Sequence, residues 1–239
     1  MKPVDTKSKS ALIQKLLRSN DGRRSRLHDR RGNLVPWLRL VLNGPRTLSS
    51  FLALRGWGWR PVRPWISYAA TAAIARTLAS RRCSVLEFGS GMSTLWFVKR
   101  AARVCSVEHD SSWYNLLNAK LSTLGFGPAV DYQLRTNVQE YYSFKADSAD
   151  RFDILLVDGP WRTECLKHHL ALVKPGGLIY VDNTDANSSS GQSGEMDLAV
   201  ETLLAHARLH KAKIEWFTDF SPACLFATQG VMVRIPLSG

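Results

Sequence analysis

The chain has 239 residues, 45% hydrophobic, 22% charged and 10% aromatic, with a formal net charge of +12. This balance excludes a disordered chain and a fibrous repeat, and a domain of this size buries about 70–75% of its unfolded surface without disulfide staples. Cys83, Cys105, Cys165 and Cys224 form no CxxC pair, which argues against a structural zinc or dithiol site and fits a reducing, cytoplasmic setting.

The charge is unevenly spread. Residues 1–60 carry 14 Lys and Arg against 3 acids, a net of +11, whereas residues 61–239 carry 18 against 17. The chain therefore divides into a basic N-terminal arm with short helices (1–60) and a near-neutral domain (61–239). Runs such as Arg23-Arg24-Ser25-Arg26 and Arg30-Arg31 suit phosphates, anionic lipid or an acidic partner; the plainer reading is a solvated tail. No run reaches the ~18 apolar residues of a membrane span. Ser10–Leu17 is at best a short amphipathic helix, and Asp5, Asp21 and Asp29 weaken a mitochondrial presequence.

Between Leu34 and Leu54, Pro36, Gly44 and Pro45 break an apolar stretch into short helices. The segment 56–68 is punctuated by Gly and Pro, and Pro64 suits the first turn of a helix reaching Ala79. From Cys83 the pattern alternates. Strands are expected at Ser84–Phe88, Val104–Glu108, Val130–Leu134, Phe152–Asp158 and Leu178–Asp182. Helices fall near Ser93–Ala102, Ser112–Leu124, Asn137–Phe144 and Thr163–Val173. A further helix covers Glu195–His210, and two last strands, Lys213–Thr218 and Cys224–Ile235, have no helix between them. The fold expected is α/β: a Rossmann-like, seven-stranded, mostly parallel sheet with helices on both faces and a C-terminal antiparallel hairpin. The serine-rich loop Asn187–Ser193 lies between these last elements.

The first strand runs into Glu87-Phe88-Gly89-Ser90-Gly91-Met92-Ser93-Thr94. Glycines let the backbone approach a ligand, and the following helix offers free N–H groups. A dinucleotide fingerprint wants glycine where Thr94 stands, and Glu87 would repel a pyrophosphate. The loop favours a ligand with a cationic or hydroxyl-bearing end, although a plain strand-to-helix turn explains it by itself. The second strand ends in Glu108, 21 residues after Glu87, a spacing that lets a carboxylate accept both hydroxyls of a ribose.

With LEFGSG, SVEHD, FDILLVDGP and LVKPGGLIYVDN in order at strand ends, residues 61–235 resemble the class I S-adenosylmethionine-dependent methyltransferases. The resemblance implies S-adenosylmethionine as cofactor, its methionine part surrounded by Glu87, Gly89, Ser90, Gly91 and Ser93. It puts Glu108 on the ribose, His109 beside the adenine and Asp158 near the amino group or sulfonium. Asn137 is an adenine contact or simply a helix cap.

Two strand ends carry acids, Asp158-Gly159-Pro160-Trp161-Arg162 and Asp182-Asn183. Asp158, Asp182 and Asn183 are similar to the metal triad of catechol-type O-methyltransferases, and two carboxylates with an amide oxygen suit Mg²⁺. The lysine base of those enzymes is replaced by Trp161, and Arg162 does not deprotonate usefully. Without a metal, Asp158 positions cofactor, and Asp182 and Asn183 shape the turn. Arg162 is a candidate catalytic clamp for a substrate carboxylate or phosphate, or a salt-bridge partner near its helix start. His168 and His169 are bases by type but fall within a helix. Trp57, Trp59, Trp65 and Tyr68 line an acceptor site or the core.

The expected activity is methyl transfer to an oxygen of a small-molecule, sugar or lipid acceptor. The alternatives are an RNA or protein methyltransferase whose basic arm meets nucleic acid, a non-catalytic cofactor-binding module, and aminopropyl transfer. Asp158-Gly159-Pro160-Trp161 lacks the second proline of base-amine enzymes, and there is no Pro-Cys nucleophile for cytosine C5 chemistry.

Overall fold

The computed structural model describes residues 22–186 and 194–237. The expectations for Ser10–Leu17 and for the loop Asn187–Ser193 lie outside the described residues.

Seven strands form one sheet: β1 (Ser84–Phe88), β2 (Arg103–Glu108), β3 (Val130–Leu134), β4 (Phe152–Val157), β5 (Val173–Val181), β6 (Lys213–Ser221) and β7 (Cys224–Arg234). Their order is β3-β2-β1-β4-β5-β7-β6, parallel through β5, with β7 antiparallel to both β5 and β6. This is the expected Rossmann-like sheet with its C-terminal hairpin. Helices α1 (Trp37–Trp57), α2 (Tyr68–Ser80), α3 (Met92–Val98), α4 (Ser111–Thr123), α5 (Val138–Tyr142), α6 (Arg162–His169) and α7 (Glu195–Leu209) surround it.

Every residue of β4 is buried. That follows from its place in a parallel sheet covered on both faces, which puts apolar side chains at Phe152 and at Ile154 through Val157, while buried Asp153 is paired with Lys174 and Arg81. Leu155 and Val157 join Leu166, Ala199 and Leu203 in one core cluster, while Ile154 and Leu156 meet Ala70, Ala73 and Ile74 in another. The first layer rests on α6 and α7, the second on α2.

Three local expectations change. Residues 37–57 form one 21-residue helix with Pro45 inside it, not a series of short helices. It stops at Gly58, whose left-handed backbone (φ +65°) lets its N–H reach back to the last turn. The next helix starts after Ser67, whose Oγ accepts from Ala70 N at 3.2 Å, so Pro64 stays in the preceding irregular segment. Strand β5 begins five residues before Leu178, at Val173, which pairs with Phe152 across a register shift.

The described part of the basic arm is fastened to the hairpin. Arg23 Nε donates to Ala227 O at 3.0 Å, and its guanidinium stacks on Phe226. Asp29 is fully buried and accepts from Thr218 Oγ at 2.8 Å. Arg31 donates to Thr184 O and pairs with Asp197. From residue 23 to 35 the arm is therefore no solvated tail. Among the described residues, no helix is long and apolar enough to cross a membrane.

Candidate functional site

The parallel strands deliver their C-terminal ends to one crevice. Gly89 N donates to Val107 O at 3.1 Å and Asp158 N to Phe88 O at 2.9 Å, so the loop after β1 is held between its two neighbouring strands. Gly89 has φ +88°, and a Cβ there would lie 2.6 Å from Gly159 N. Only glycine permits that approach.

Glu87 lies fully buried behind the loop. Its Oε2 accepts from Thr94 Oγ1 and from Ser106 Oγ (2.7 Å), while Oε1 has no partner among the described residues. Burial lifts its pKa to about 7, opposed by the hydroxyls of Ser93, Thr94 and Ser106. Ser93, on the first turn of α3, lines the cavity in front of the loop.

Glu108 does more local work than its expected role requires. It is buried, and its Oε2 accepts from Ser90 N (3.1 Å) and Ser90 Oγ (2.7 Å). Its Oε1 accepts from His109 N (2.8 Å) and Asp110 N (2.9 Å). Glu108 thus ties the glycine loop to the end of β2. A ribose diol gains a place on it only if Ser90 Oγ turns to Tyr132 Oη, already 2.8 Å away.

Half-exposed His109 sits with Nδ1 3.0 Å from Glu108 Oε1. Its ring forms an edge-to-face group with Tyr141 (5.9 Å) and Trp161 (5.8 Å). Trp161 holds a left-handed backbone (φ +52°) just before α6. Asn137 is the cap of α5, its Oδ1 accepting from Gln139 N and Glu140 N.

Two cavities meet in the crevice. The smaller, about 160 Å³, runs along Gly89–Ser93 and is closed by Arg60, Trp65, Trp113 and Asp158. The larger, about 430 Å³, is bounded by Phe51, Trp65, Asp158, Asp182, Asn183 and the β6–β7 turn. Asp158 and Trp65 belong to both. Arg60, Trp113, Phe51 and the β6–β7 turn were not singled out from the sequence. Trp113 alone had a local signal: Asp110 Oδ1 accepts its N–H at 2.7 Å as the cap of α4, which aims the indole back so that Nε1 donates to Ser90 O. Of the other aromatic candidates, Tyr68 is buried in the core, and Trp57 and Trp59 are exposed.

Asp158 is partly exposed at the junction, and burial raises its pKa to about 6 against the pull of Arg162. Arg162 Nη2 lies 3.6 Å from Asp158 Oδ1 and donates to Asp158 O at 3.3 Å. The arginine lines neither cavity. Asp182 is buried and accepts from Tyr180 Oη at 2.7 Å. Burial, and then the charge of Asp158, hold it well above the carboxylate range. Asn183, with φ +54°, bounds the larger cavity beside it. His169 is buried, with Nδ1 and Nε2 facing the carbonyls of Cys165 and Phe144, and His168 stacks on Tyr142. Neither lines a cavity.

No family model matches the chain, and no curated protein matches it. Solved structures do. An O-methyltransferase from Streptomyces achromogenes involved in tomaymycin synthesis, in complex with SAM, is 14% identical over 84% of this chain and 96% of that one, with a TM-score of 0.57. An O-methyltransferase from Bacillus cereus in complex with SAH is 14% identical over 83% of this chain and 97% of that one, also at 0.57. At that identity the likeness establishes the fold.

Proposed function

We propose that this chain, built on the fold shared with those O-methyltransferases, transfers a methyl group from S-adenosylmethionine to an oxygen of a small-molecule, sugar or lipid acceptor. The observation that carries this reading is the meeting of the two cavities at Asp158, one along the glycine loop and one open toward the hairpin. A donor in the first and an acceptor in the second would face each other across a single carboxylate.

The residues present fit the cofactor. The Gly89–Gly159 approach leaves backbone rather than side chains along the cradle. Buried Glu87 lies behind Ser93, which lines the cavity, and its charge through that hydroxyl suits a cationic amino group. Trp65 and Trp113 wall the cradle, with the Arg60 guanidinium 5.6 and 5.4 Å from their rings. When bound, S-adenosylmethionine supplies a methyl group on a positively charged sulfur.

The chain's own contribution is positioning and proton removal. Asp158, with a pKa near 6, is ionised at neutral pH and takes the acceptor hydroxyl proton. This gives the site a base despite Trp161 standing where related enzymes have lysine. Arg162 acts through Asp158 as a positioning residue. Burial, and then the charge of Asp158, push the pKa of neighbouring Asp182 upward, because two close carboxylates do not both ionise readily. Alignment of the two cavities supplies the entropic part of the acceleration.

The trio Asp158, Asp182 and Asn183 bounds one cavity, but its chemistry does not fit a resident divalent ion. Arg162 already provides a cation beside Asp158, and Asp182 Oδ1 is engaged by the Tyr180 hydroxyl at 2.7 Å. No step here passes through a metal.

The test is calorimetric titration with S-adenosylmethionine and S-adenosylhomocysteine, followed by transfer of labelled methyl to phenols, sugars, lipids and RNA. Absence of cofactor binding overturns the reading. Binding with transfer to no oxygen acceptor leaves the non-catalytic module, and transfer to RNA bases leaves the nucleic-acid enzyme.

A further inference from the structure

Helix α1 is inside out. The residues it buries are Asn43, Thr47 and Ser50. Asn43 Nδ2 donates to Asp219 Oδ2 at 2.9 Å, Thr47 Oγ1 to Ser221 O at 2.7 Å, and Ala223 N to Ser50 Oγ at 2.9 Å. Its solvent side carries Trp37, Val41, Leu48 and Leu52 at helical spacing, flanked by Leu38 and Leu42, all exposed. A helix that needed only this domain would show the opposite pattern, as α2 does by burying Ala70, Ala73, Ile74 and Leu78. A contiguous exposed apolar stripe marks a surface with a partner.

We propose that this outward face of α1 docks on an anionic lipid surface. The charge around the stripe points to that occupant. Residues 37–67 contain Arg39, Arg46, Arg55, Arg60 and Arg63, with no lysine and no acidic residue. Among the described residues none of these five arginines forms an ion pair within 4 Å, and of the five only Arg39 has its charge met by a buried acid, Asp219. Anionic headgroups supply the missing counter-charge, at about 1 kcal/mol for each basic side chain near the surface. A second copy of the same face would instead bring arginines together with no acids between them. A nucleic acid would satisfy the arginines but has no use for Val41, Leu48 and Leu52. Trp37 stands at one end of the helix and Trp57 and Trp59 at the other, the residue type enriched at the headgroup level. At 21 residues α1 is about 30 Å long, and it is not apolar enough to cross the bilayer, so it lies along the surface. The proposal is independent of the proposed activity.

The test is co-sedimentation of the full chain with vesicles of phosphatidylcholine alone and of phosphatidylcholine mixed with phosphatidylserine. The protein is expected to bind the mixture and not the neutral vesicles. Two variants, V41S/L48S/L52S and R46E/R55E, are each expected to weaken that binding at least tenfold. The aliphatic variant and R55E change outward side chains, so their unfolding midpoints are expected to match the parent; Arg46 also donates to Asn43 Oδ1 at 3.4 Å, so R55E alone serves as the control that keeps this bond. Fluorescence of the exposed tryptophans is expected to shift blue on the mixed vesicles for the parent only. Vesicle binding unchanged in both variants overturns the proposal, because it would then reside outside this face of α1. Equal binding to both vesicle types overturns it as well. So does a vesicle-free dimer that the aliphatic variant dissociates, or RNA binding that only the arginine variant removes.

Discussion

Replacing Glu87 by Gln probes the buried end of the glycine loop. Two hydroxyls reach one carboxylate oxygen, the other is unpartnered, and burial lifts the pKa from 4.5 to about 7. A carboxyl whose folded pKa lies above its unfolded value contributes stability that is fully present below the unfolded pKa. That contribution is lost as pH rises through the folded pKa. At about 1.4 kcal/mol per pH unit, the loss between pH 4.5 and 7 amounts to at most about 3 kcal/mol. Glutamine still accepts from Thr94 and Ser106 and does not ionise. In urea unfolding without cofactor, parent and E87Q should therefore nearly coincide at pH 5, and E87Q should be the more stable at pH 8 by up to about 3 kcal/mol. A stability difference that stays constant from pH 5 to 8 would refute the reasoning. The cofactor adds a second arm. Its cationic amino group favours ionised Glu87, so parent affinity should rise about tenfold between pH 5.5 and 7 in calorimetric titrations, and E87Q should show no such rise.

Other perturbations separate the remaining parts of the site. Gly89→Ala should destabilise the fold by about 1–3 kcal/mol of strain, read as a lower thermal midpoint, and remove most cofactor binding, because its Cβ would enter the Gly159 backbone; retained affinity would show that the loop is not the cradle. Asp158→Asn should reduce turnover by about 10²–10⁴-fold with less than a tenfold change in cofactor affinity, and the parent kcat/KM should rise through pH 6 to a plateau. An Asn variant that keeps this pH profile rules Asp158 out as the base. Glu108→Gln turns an amide N–H₂ toward backbone donors at Ser90 or His109 and should weaken cofactor binding at least tenfold, whereas unchanged affinity would remove Glu108 from the site. Chelator should leave the initial rate intact; loss of activity restored by Mg²⁺ would return Asp158, Asp182 and Asn183 to the role of metal ligands.

The sequence by itself determined the strand–helix alternation, the antiparallel hairpin and the position of the glycine loop. These are local signals. Strands such as β4, covered on both faces, require apolar runs such as Ile154-Leu155-Leu156-Val157, and Gly89 must be glycine because of its own backbone angle and the close approach of Gly159. Asn137 was legible as a helix cap for the same reason, since a cap is settled within three residues. Only the tertiary structure decided what the polar side chains meet. Glu108 carries the right spacing for a ribose, yet its oxygens receive Ser90 and the His109–Asp110 backbone, a partnership set by how β1 and β2 lie side by side. Proline and glycine between Leu34 and Leu54 suggested short helices, but Asn43, Thr47 and Ser50 find partners at Asp219, Ser221 and Ala223, more than 170 residues away, and those contacts help hold one long helix across Pro45. Hydrophobic periodicity records which face of an element is apolar. Whether that face turns inward depends on partners distant in the chain, and for α1 buried hydrogen bonds on the polar side placed the apolar side outside.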